Sequence, residues 1–251
     1  MRRALDILAA SLGLLAVAPV LLVAAVAIWL QDHGSPLYIS CRIGRDGVPF
    51  RLVKLRSMAA GASRSGVDTT TAFDRRVTCV GRVIRRLKLD ELPQLWNVLI
   101  GQMSLIGPRP NVPREVDRYT TAERQQLSLR PGLTDLSSIV FSNLGQLLAD
   151  SNNPNGDYAV GIRPWKSRLA LLYVRKRSLR LDLEILGLTL ACLMSRRMAI
   201  RGVEAILARL DAPGEVRRTV RDLREGVRPR PFPPPGADSE PALPAGLHKE
   251  M

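Results

Sequence analysis

The N-terminal part of the chain contains a long apolar run, residues 7–30, without a single charged side chain. An uncharged run of this length can cross the hydrocarbon core of a bilayer as a helix, so it predicts a membrane segment. Arg2 and Arg3 precede the run, and basic flanks tend to stay on the cytoplasmic side of a membrane. The sequence therefore predicts a membrane anchor at residues 1–30 whose N-terminus faces the cytoplasm.

Three interpretations of this run are open. A signal peptide cleaved after residues 16–18 is the weakest, because the run continues well beyond that point. A single transmembrane span is the default, whereas a re-entrant hairpin would enter and leave the bilayer on the same face. Pro19 lies at the middle of the run and would kink a helix there. Basic residues between positions 42 and 56 favour the hairpin, since a span cannot keep both flanks inside, but the residues alone leave both topologies open.

The charge of the chain is concentrated in its middle. The net charge is +14, and residues 31–210 hold 28 basic against 15 acidic side chains. Such a segment predicts an anionic partner, which could be a nucleic acid, a membrane surface or a phosphorylated substrate. Residues 211–251 are rich in proline and carry no net charge, which predicts a disordered tail.

Several kinds of chemistry are excluded by residue usage. Cys41, Cys79 and Cys192 are scattered and odd in number, so they indicate neither a disulfide framework nor a zinc site. The only histidines are His33, beside the apolar run, and His248, in the tail. Catalysis by a core histidine is therefore nearly excluded. A glycine-rich P-loop, a GxGxxG turn and an HExxH helix are all absent from the sequence.

The residues after the anchor show local structural patterns. Residues 37–58 alternate between apolar and polar side chains around a pair of glycines, which predicts two short strands in a hairpin. Residues 59–73 are small and polar and predict a flexible loop. Residues 75–88 combine basic side chains with apolar ones at helical spacing, which predicts an amphipathic helix. Residues 169–194 are mostly apolar but interrupted by charges, which favours amphipathic surface helices over a second span.

Two adjacent acids, Asp90 and Glu91, follow the basic segment. Asp90 is placed to cap the N-terminus of a short helix, with Pro93 in its first turn and Gly101 at its end. A carboxylate at the positive end of a helix, among arginines, has its ionised form favoured. The pair could supply a nucleophile, a Mg²⁺ ligand or only a capping acid, and spacing alone favours the cap.

Two rigid turns each present an arginine. A Gly-Pro-Arg-Pro turn at residues 107–110 contains Arg109, and an Arg-Pro-Gly turn at residues 130–132 begins with Arg130. The planar guanidinium group suits bidentate contacts with phosphate. Two fixed arginines would therefore suit a dianion such as a pyrophosphate, although either turn alone would be an ordinary loop.

Three blocks of the chain resemble the bacterial sugar transferase family, the monotopic polyprenyl-phosphate phosphoglycosyl transferases. The blocks are residues 50–58, 75–110 and 130–134. The family core reads roughly as an arginine-rich helix, then Leu-Asp-Glu-Leu-Pro-Gln-Leu-x-Asn-Val-Leu, Met-Ser-x-x-Gly-Pro-Arg-Pro and Arg-Pro-Gly-x-Thr. Residues 89–99 and 103–110 match it almost position for position, and the resemblance covers about residues 1–200.

The resemblance implies an enzyme that transfers a phosphosugar from a nucleoside diphosphate sugar, usually a UDP-sugar, to undecaprenyl phosphate. UMP would leave, and the lipid-linked product would initiate the assembly of a polysaccharide or glycoconjugate, with downstream glycosyltransferases as further partners. The family has a re-entrant anchor in the bacterial inner membrane and an active site at the cytoplasmic face. The resemblance thus favours the hairpin topology and implies no nucleic-acid partner.

The resemblance also implies roles for individual residues. Asp90 would be the nucleophile that attacks the β-phosphorus of the sugar nucleotide and forms an aspartyl-phosphosugar. Mg²⁺ would be held by Asp90 and Glu91 with substrate oxygens, and Glu91 could instead position or deprotonate the lipid phosphate. Phosphate oxygens and substrate would be bound by Arg85, Arg109, Pro110 and Arg130. Asp6 fits the family signature at the start of the membrane helix, and Pro19 fits the membrane break.

The chain departs from common family patterns in two places. Many members have Ser-Pro at the membrane break, whereas Ala18 precedes Pro19 here, so no serine hydroxyl can help to satisfy the opened backbone. After Arg-Pro-Gly-x-Thr many members continue with glycine, whereas Asp135 follows here, and a longer polar insert occupies residues 143–161. This insert could shape the sugar or nucleotide pocket, and no particular sugar is implied.

The combined prediction is an α+β, mostly helical fold. It comprises a re-entrant membrane helix hairpin at residues 1–30, a small cytoplasmic catalytic domain at residues 31–210 and a proline-rich, disordered tail at residues 211–251. The catalytic domain would carry amphipathic surface helices and a short β-hairpin. The alternative is a membrane-anchored basic protein that binds nucleic acid or serves as a scaffold without catalysis. Aromatic residues make up only 4% of the chain, too few to favour base stacking, and the intact Asp90–Glu91 pair disfavours an inactive scaffold.

Overall fold

The computed structural model describes residues 2–62 and 71–236. This part of the chain is mostly helical and contains two small two-stranded sheets. The helices are α1 (Arg2–Asp32), α2 (Cys79–Arg86), α3 (Gln94–Leu99), α4 (Pro113–Val116), α5 (Thr121–Arg124), α6 (Leu136–Val140), α7 (Leu144–Leu147), α8 (Pro154–Asp157), α9 (Arg163–Lys176), α10 (Leu179–Met194), α11 (Arg196–Arg209) and α12 (Gly214–Arg224). The strands are β1 (Leu37–Ile43), β2 (Pro49–Leu55), β3 (Ser104–Ile106) and β4 (Gly132–Thr134). Of the predicted loop at residues 59–73, residues 63–70 lie outside the described ranges.

Helix α1 confirms the long apolar helix predicted at the N-terminus. It is one helix of 31 residues that contains Pro19. Among the described residues, it is the helix whose length and composition would allow it to cross a membrane. Its middle is highly exposed, with Leu15 at 76% and Val23 at 70% of their full accessible surface. An exposed apolar surface of this kind is expected of a segment that contacts lipid rather than water.

Both ends of α1 are attached to the same domain. Near the beginning, the Asp6 carboxylate accepts hydrogen bonds from Ser104 Oγ at 2.8 Å and from the Leu105 N–H at 3.0 Å. At the end, both oxygens of Asp32 pair with the Arg56 guanidinium, at 2.5 and 2.6 Å. The buried residues of α1 are Asp6, Ala10, Ala24 and Ile28. The intervening stretch, residues 11–23, contributes no fully buried side chain, although Leu14 and Leu21 are partly buried against the apolar clusters at either end.

Strands β1 and β2 form the predicted antiparallel hairpin, in a register that pairs Leu37 with Leu55. A 3₁₀ turn at Arg45–Gly47 lies between them. Asp46 and Gly47 have φ values of 57° and 79° in this turn, a left-handed conformation that aspartate tolerates and glycine adopts freely. Alternate residues in the first half of β2 are buried, as the sequence pattern predicts. Local sequence therefore accounts for this element well.

Strands β3 and β4 are parallel, with Ser104 beside Gly132. The two backbones approach so closely that a Cβ atom on Gly132 would lie 2.1 Å from the Gly107 nitrogen. Glycine is required there because any side chain would collide with the neighbouring backbone. This pairing places the turn that contains Arg109 beside the turn that contains Arg130.

Helix α2 is shorter than the predicted helix at residues 75–88. Thr78 caps it, since its Oγ1 accepts a hydrogen bond from the Gly81 N–H at 2.9 Å. The residues before the cap form a separate turn, in which Asp74 and Arg76 make an ion pair at 2.6 Å. Ile84 is buried and packs in a small apolar cluster with the end of α1. Ile84 and the partly buried Val80 thus pack α2 against the end of α1.

The main hydrophobic core lies among the C-terminal helices, and it corrects the prediction for the tail. Helix α12 contributes the buried side chains Val216, Val220 and Leu223 to this core. The Trp165 indole N–H donates to the Arg230 carbonyl at 2.9 Å, so the chain after α12 also lies on the domain. The prediction of a disordered tail is therefore wrong for residues 211–236. The high proline content of the whole tail obscured the apolar residues that recur at helical spacing in α12. Residues 237–251 lie outside the described ranges, and the remaining domain boundaries stay predictions.

The segment at residues 169–194 forms most of α9 and all of α10. Leu181 and Ile185 of α10 are buried in the main core, whereas Leu193 and Met194 are 63% and 89% exposed. Apolar side chains on both the buried and the exposed sides agree with the predicted surface helix, whose outer side would contact lipid.

Candidate active site

Asp90 and Glu91 lie in a 3₁₀ turn, Leu89–Glu91, that connects α2 to α3. Lys88 precedes this turn in a left-handed conformation, with φ of 57°. The prediction that Asp90 caps α3 is wrong, because α3 begins at Gln94 and has no side-chain cap. A cap at Asp90 would need the N–H of Leu92 or of Pro93. Leu92 already donates its N–H to the Leu89 carbonyl at 3.2 Å, and proline has no N–H, so the Asp90 carboxylate is left free for other contacts.

Glu91 is held by two cations that come from distant parts of the chain. The Arg109 Nη2 donates a hydrogen bond to Glu91 Oε1, and Lys54 Nζ lies 3.7 Å from the same oxygen. Burial raises the pKa of Glu91, but attraction by Arg109 and Lys54 outweighs burial and lowers the pKa to about 2. Glu91 is therefore ionised and firmly positioned.

Asp90 has different surroundings. Among the described residues, its carboxylate has no hydrogen bond and no ion pair. Burial and the neighbouring Glu91 charge raise its pKa, against a smaller opposing effect of Lys54 and Arg85. The expectation that a helix end favours its ionised form is wrong for Asp90, since it occupies no cap and shares its site with another carboxylate. The Asp90 carboxylate is therefore more basic than an ordinary aspartate, and its oxygen lone pairs accept no hydrogen bond from the described residues.

Arg109 is fixed from two sides. Its Nη1 donates to the Leu133 carbonyl at 3.2 Å, and its Nη2 is bound to Glu91. Its backbone belongs to the turn that β3 and β4 hold in place, and Pro110, the next residue, is buried. The proline-flanked turn therefore fixes the direction of this guanidinium, as the sequence predicts.

The other two predicted arginines differ in their relation to the carboxylates. Arg85 lies on α2, acts on the pKa of Asp90, and has a buried Nη1 without a hydrogen-bond partner. The Arg130 backbone lies beside Gly107, but its exposed side chain makes no described contact with Asp90 or Glu91. The structure thus brings Arg85 and Arg109 to the acidic pair and leaves the Arg130 side chain at the surface.

Three cations near this site were not predicted, namely Arg42 on β1, Lys54 on β2 and Lys166 on α9. Burial lowers the pKa of Lys54 to about 8 and also lowers the pKa of Arg42. Burial and the nearby Arg109 likewise lower the pKa of Lys166 to about 8. A basic side chain among the buried residues of β2 or α9 could have signalled Lys54 and Lys166, whereas β1 is largely exposed and gives no such signal for Arg42.

These contacts make the site strongly electropositive. Four cations influence one another or Glu91 electrostatically, namely Arg42, Lys54, Arg109 and Lys166. Glu91 is the acidic residue that two of them, Arg109 and Lys54, contact directly. Cations that are removed from water require compensating negative charge. The site is therefore suited to a bound anion with several charged oxygens, such as a diphosphate.

Asp90 and Glu91 fit a partial ligand set for Mg²⁺. Within the described ranges, no group of three or more His, Cys, Asp or Glu side chains could hold a metal ion. Magnesium in proteins is usually bound through one or two carboxylates together with substrate phosphates and water. Two adjacent carboxylates, one of them without a partner, are compatible with that pattern.

The family comparison is consistent with this arrangement. A family model described as "Bacterial sugar transferase" matches residues 1–196, most of the chain. The chain belongs to this family. The two carboxylates, Arg85 and both arginine turns all lie within the matched residues. The bacterial sugar transferase match also includes Arg42, Lys54 and Lys166, so the unpredicted cations belong to the family region.

Curated relatives cover parts of this sugar transferase. It is 44% identical over 143 residues to the UDP-glucose:undecaprenyl-phosphate glucose-1-phosphate transferase of Caulobacter vibrioides, which covers 55% of this chain and 53% of that protein. It is 35% identical over 193 residues to a protein of the same name from Klebsiella pneumoniae, covering 75% of this chain and 39% of that protein. It is 39% identical over 142 residues to the UDP-N-acetylgalactosamine-undecaprenyl-phosphate N-acetylgalactosaminephosphotransferase of Aeromonas hydrophila, covering 55% and 34%. The chain therefore spans about half or less of the length of these relatives.

Proposed function

We propose that this protein transfers a phosphosugar from a UDP-sugar to undecaprenyl phosphate and so initiates polysaccharide or glycoconjugate assembly. The observation that carries the proposal is the contrast within the acidic pair. Glu91 is held by Arg109 and Lys54, whereas Asp90 has no partner and a raised pKa. A basic carboxylate with free lone pairs, surrounded by cations that can hold a diphosphate, suits nucleophilic attack on phosphorus. The names of the relatives support this class of substrate.

The proposed reaction has two steps. In the first, an oxygen of Asp90 attacks the β-phosphorus, a new oxygen–phosphorus bond forms, and the bond to the oxygen that bridges the two phosphates breaks. UMP leaves with that electron pair, and an aspartyl-phosphosugar remains. In the second, an oxygen of undecaprenyl phosphate attacks the same phosphorus and restores the Asp90 carboxylate. A covalent intermediate of this kind implies ping-pong kinetics.

The neighbouring residues have distinct roles in this scheme. Glu91 holds Arg109 and Lys54 in place and could position the lipid phosphate in the second step. Arg109 is a fixed donor for phosphate oxygens, because Nη1 and Nη2 each donate one hydrogen bond to a protein acceptor and each retain a second N–H for the substrate. Arg85, which has an unpartnered buried nitrogen, binds a further phosphate oxygen beside Asp90. Pro110 maintains the turn, and Arg130 binds substrate from the rim of the site.

Mg²⁺ would be held by Asp90 and Glu91 together with phosphate oxygens. When bound, it supplies positive charge that neutralises the diphosphate and the charge developing on the leaving nucleotide. A cation bound beside Asp90 would oppose the rise in its pKa and favour the ionised form.

We also propose that α1 is a re-entrant anchor in the bacterial inner membrane, with the catalytic domain on the cytoplasmic face. Asp6 and Asp32, near opposite ends of α1, both pair with the same domain. A helix that crosses the bilayer would place its two ends on opposite sides, where one domain could not contact both. The exposed apolar middle around Pro19 would enter the bilayer and return, with the kink expected at the proline.

The test of this function is nucleotide release by membranes that contain the full chain. A series of UDP-sugars is supplied with Mg²⁺, with and without undecaprenyl phosphate. At least one sugar is expected to give UMP in amounts that depend on the lipid phosphate, and Asp90→Asn is expected to abolish the release. Asp117→Asn is the matched control, because Asp117 is exposed and lies outside the site. Absence of release across the series, or full activity of Asp90→Asn, would overturn the proposal.

A further inference from the structure

The Gly-Pro-Arg-Pro turn of the site is held at both of its ends. At the first end, the Pro108 carbonyl accepts a hydrogen bond from the Gly132 N–H at 2.9 Å. At the second end, the Asn111 carbonyl accepts from the Ile43 N–H at 3.0 Å. The Asn111 side chain also donates from Nδ2 to the hydroxyl of Tyr119 at 2.5 Å. The first attachment follows from the pairing of β3 with β4, whereas the second depends on where Tyr119 is placed.

Tyr119 is placed by helix α5, which begins directly after it. Thr120 caps α5, since its Oγ1 accepts a hydrogen bond from the Glu123 N–H at 3.1 Å. Glu123 is fully buried, and its carboxylate accepts from Ser167 Oγ at 2.6 Å and from Arg163 Nη1 at 3.2 Å. Both donors belong to α9, so the packing of α5 on α9 determines the position of Tyr119.

A segment from the C-terminal part of the chain lies across the junction of α5 and α9. This segment, residues 228–236, is the C-terminal strap. On α9, the Trp165 indole N–H and the Arg168 guanidinium donate hydrogen bonds to carbonyls of the strap at 2.9 and 2.7 Å. On α5, the Thr120 hydroxyl donates to a third carbonyl of the strap, that of Pro235. The strap therefore joins the two helices that together place the second attachment of the arginine turn.

Phe232 is the side chain that fixes the strap. Its ring centre lies 4.8 Å from that of Trp165 and 4.3 Å from the guanidinium carbon of Arg168. Contacts between aromatic rings, and between a cation and a ring, add attraction beyond the burial of apolar surface. Phe232 is also partly buried against the main core. The strap lies outside the residues that the family model matches, so membership of the family assigns it no role.

We propose that the C-terminal strap positions Arg109, with Phe232 and Tyr119 as the positioning residues. The inference rests on the proposed function, in which Arg109 binds phosphate oxygens of the sugar nucleotide. The strap holds Thr120, the neighbouring Tyr119 holds Asn111, and the arginine turn then cannot pivot about its attachment to β4. A small displacement of a substrate-positioning group can cost a large factor in rate, even when its cause lies far from the reacting atoms.

Hydrogen exchange of the full chain in lipid nanodiscs, without substrate, tests the attachment itself. The Ile43 amide reports the second attachment of the turn, and the Gly132 amide reports the first. Phe232→Ala and Tyr119→Phe are each expected to speed exchange at Ile43 by about fivefold or more and to leave exchange at Gly132 within about twofold of the wild type. Phe232→Tyr keeps the ring and is expected to exchange as the wild type does. Phe73→Ala is the matched control, because Phe73 is 82% exposed.

The kinetic test uses kcat/KM for a UDP-sugar that gives UMP, because this ratio depends only on the first step of a ping-pong reaction. Phe232→Ala and Tyr119→Phe are each expected to lower it by about tenfold, mainly through a higher KM. The double variant should lose little more than either single variant, since both act through one turn. Additive losses would show that the strap and Tyr119 act independently and would overturn the proposal. A fall in kcat at unchanged KM would also overturn it, because that result indicates only a smaller folded fraction.

The two measurements separate this inference from the proposed function. Exchange at Ile43 that stays unchanged in Phe232→Ala shows that the strap does not hold the turn, even if the wild type releases UMP. If the wild type releases no UMP from any UDP-sugar, the proposed function fails, and exchange at Ile43 alone decides whether the strap holds the turn. Thermal unfolding verifies that the variants are folded. If Phe232→Ala is not, Arg168→Met replaces it, since it removes one hydrogen bond to the strap and the cation beside the Phe232 ring.

Discussion

The carboxylate of Asp6 accepts a hydrogen bond from the backbone N–H of Leu105 at 3.0 Å, which links the long apolar helix α1 to strand β3. Its second oxygen accepts from Ser104 Oγ at 2.8 Å. Strand β3 leads directly into the turn that holds Arg109. The beginning of α1 therefore helps to position Arg109 through β3, and the described hydrogen bonds of the Asp6 carboxylate go to Ser104 and Leu105.

Asp6→Ala should destabilise the protein and reduce its activity. The substitution leaves the Leu105 N–H and the Ser104 hydroxyl without their acceptor, which costs about 2–3 kcal/mol for buried groups. Thermal unfolding and UMP release are measured together, with Asp117→Ala as a surface control. Unchanged stability of Asp6→Ala would show that this link does not hold β3 in place.

Gly132→Ala should strongly reduce both stability and activity, although it adds only one methyl group. Its new Cβ would lie 2.1 Å from the Gly107 nitrogen, so the parallel pairing of β3 and β4 would have to separate. We expect a loss of at least about 3 kcal/mol in stability and no measurable UMP release. Gly187→Ala is the control, since nothing lies within 4 Å of the new Cβ and alanine favours a helix interior. A stable and active Gly132→Ala protein would contradict the described approach of the two strands.

The two carboxylates should respond differently to removal of their charge. With a UDP-sugar labelled on the β-phosphate, the wild type is expected to form a labelled protein in the absence of lipid acceptor, and Asp90→Asn to form none. Glu91→Gln leaves Arg109 and Lys54 without their counter-charge, so we expect kcat to fall by about 100-fold or more. Glu91→Gln should still form some labelled protein, because Asp90 is intact. Labelling that survives in Asp90→Asn would remove Asp90 as the nucleophile.

Lys166 should reduce the stability of the free protein at neutral pH. Its pKa falls from 10.5 to about 8 on folding, so between these pH values the unfolded chain binds a proton that the folded protein lacks. Stability therefore rises with pH across that window by up to about 1.4 kcal/mol per unit, and the full penalty is present below about pH 8. Lys166→Met is expected to unfold at a higher temperature than the wild type at pH 7, and the difference should shrink towards pH 10.5. A lower unfolding temperature at pH 7 would indicate a structural role for the ammonium group.

The topology of α1 can be read from single cysteines in a background without Cys41, Cys79 and Cys192. Ala4→Cys and Gln31→Cys, near opposite ends of the helix, should both react with a membrane-impermeant maleimide only when the cytoplasmic face is accessible. Leu15→Cys, in the exposed apolar middle, should be protected by lipid. Reaction of Ala4→Cys and Gln31→Cys from opposite faces would establish a span instead of a re-entrant anchor.

Local sequence predicted the parts of this fold that are stabilised locally. The β-hairpin follows from alternation and a glycine turn, and the end of α3 follows from Gly101, which has φ of 89°. Helix starts were less predictable. The start of α2 depends on the Thr78 cap, and the start of α3 on hydrogen bonds already used in the turn before Pro93. Helix α12 was not predicted because the proline content was judged over residues 211–251 as a whole, although residues 214–224 form a helix.

The sequence by itself determined the long apolar helix, the β-hairpin, the acidic pair Asp90–Glu91 and the rigid turn of Arg109, because each depends on neighbouring residues or on a resemblance carried by contiguous motifs. Only the tertiary structure decided that Glu91 is held and Asp90 is free. Burial raises the pKa of both carboxylates, and the two pKa values separate because Arg109 and Lys54 are packed against Glu91 and lower its pKa. Only the tertiary structure also brought Arg42 and Lys166 within the electrostatic influence of Arg109. Convergence of cations from distant segments is driven by burial of the apolar residues around them, which no local pattern encodes.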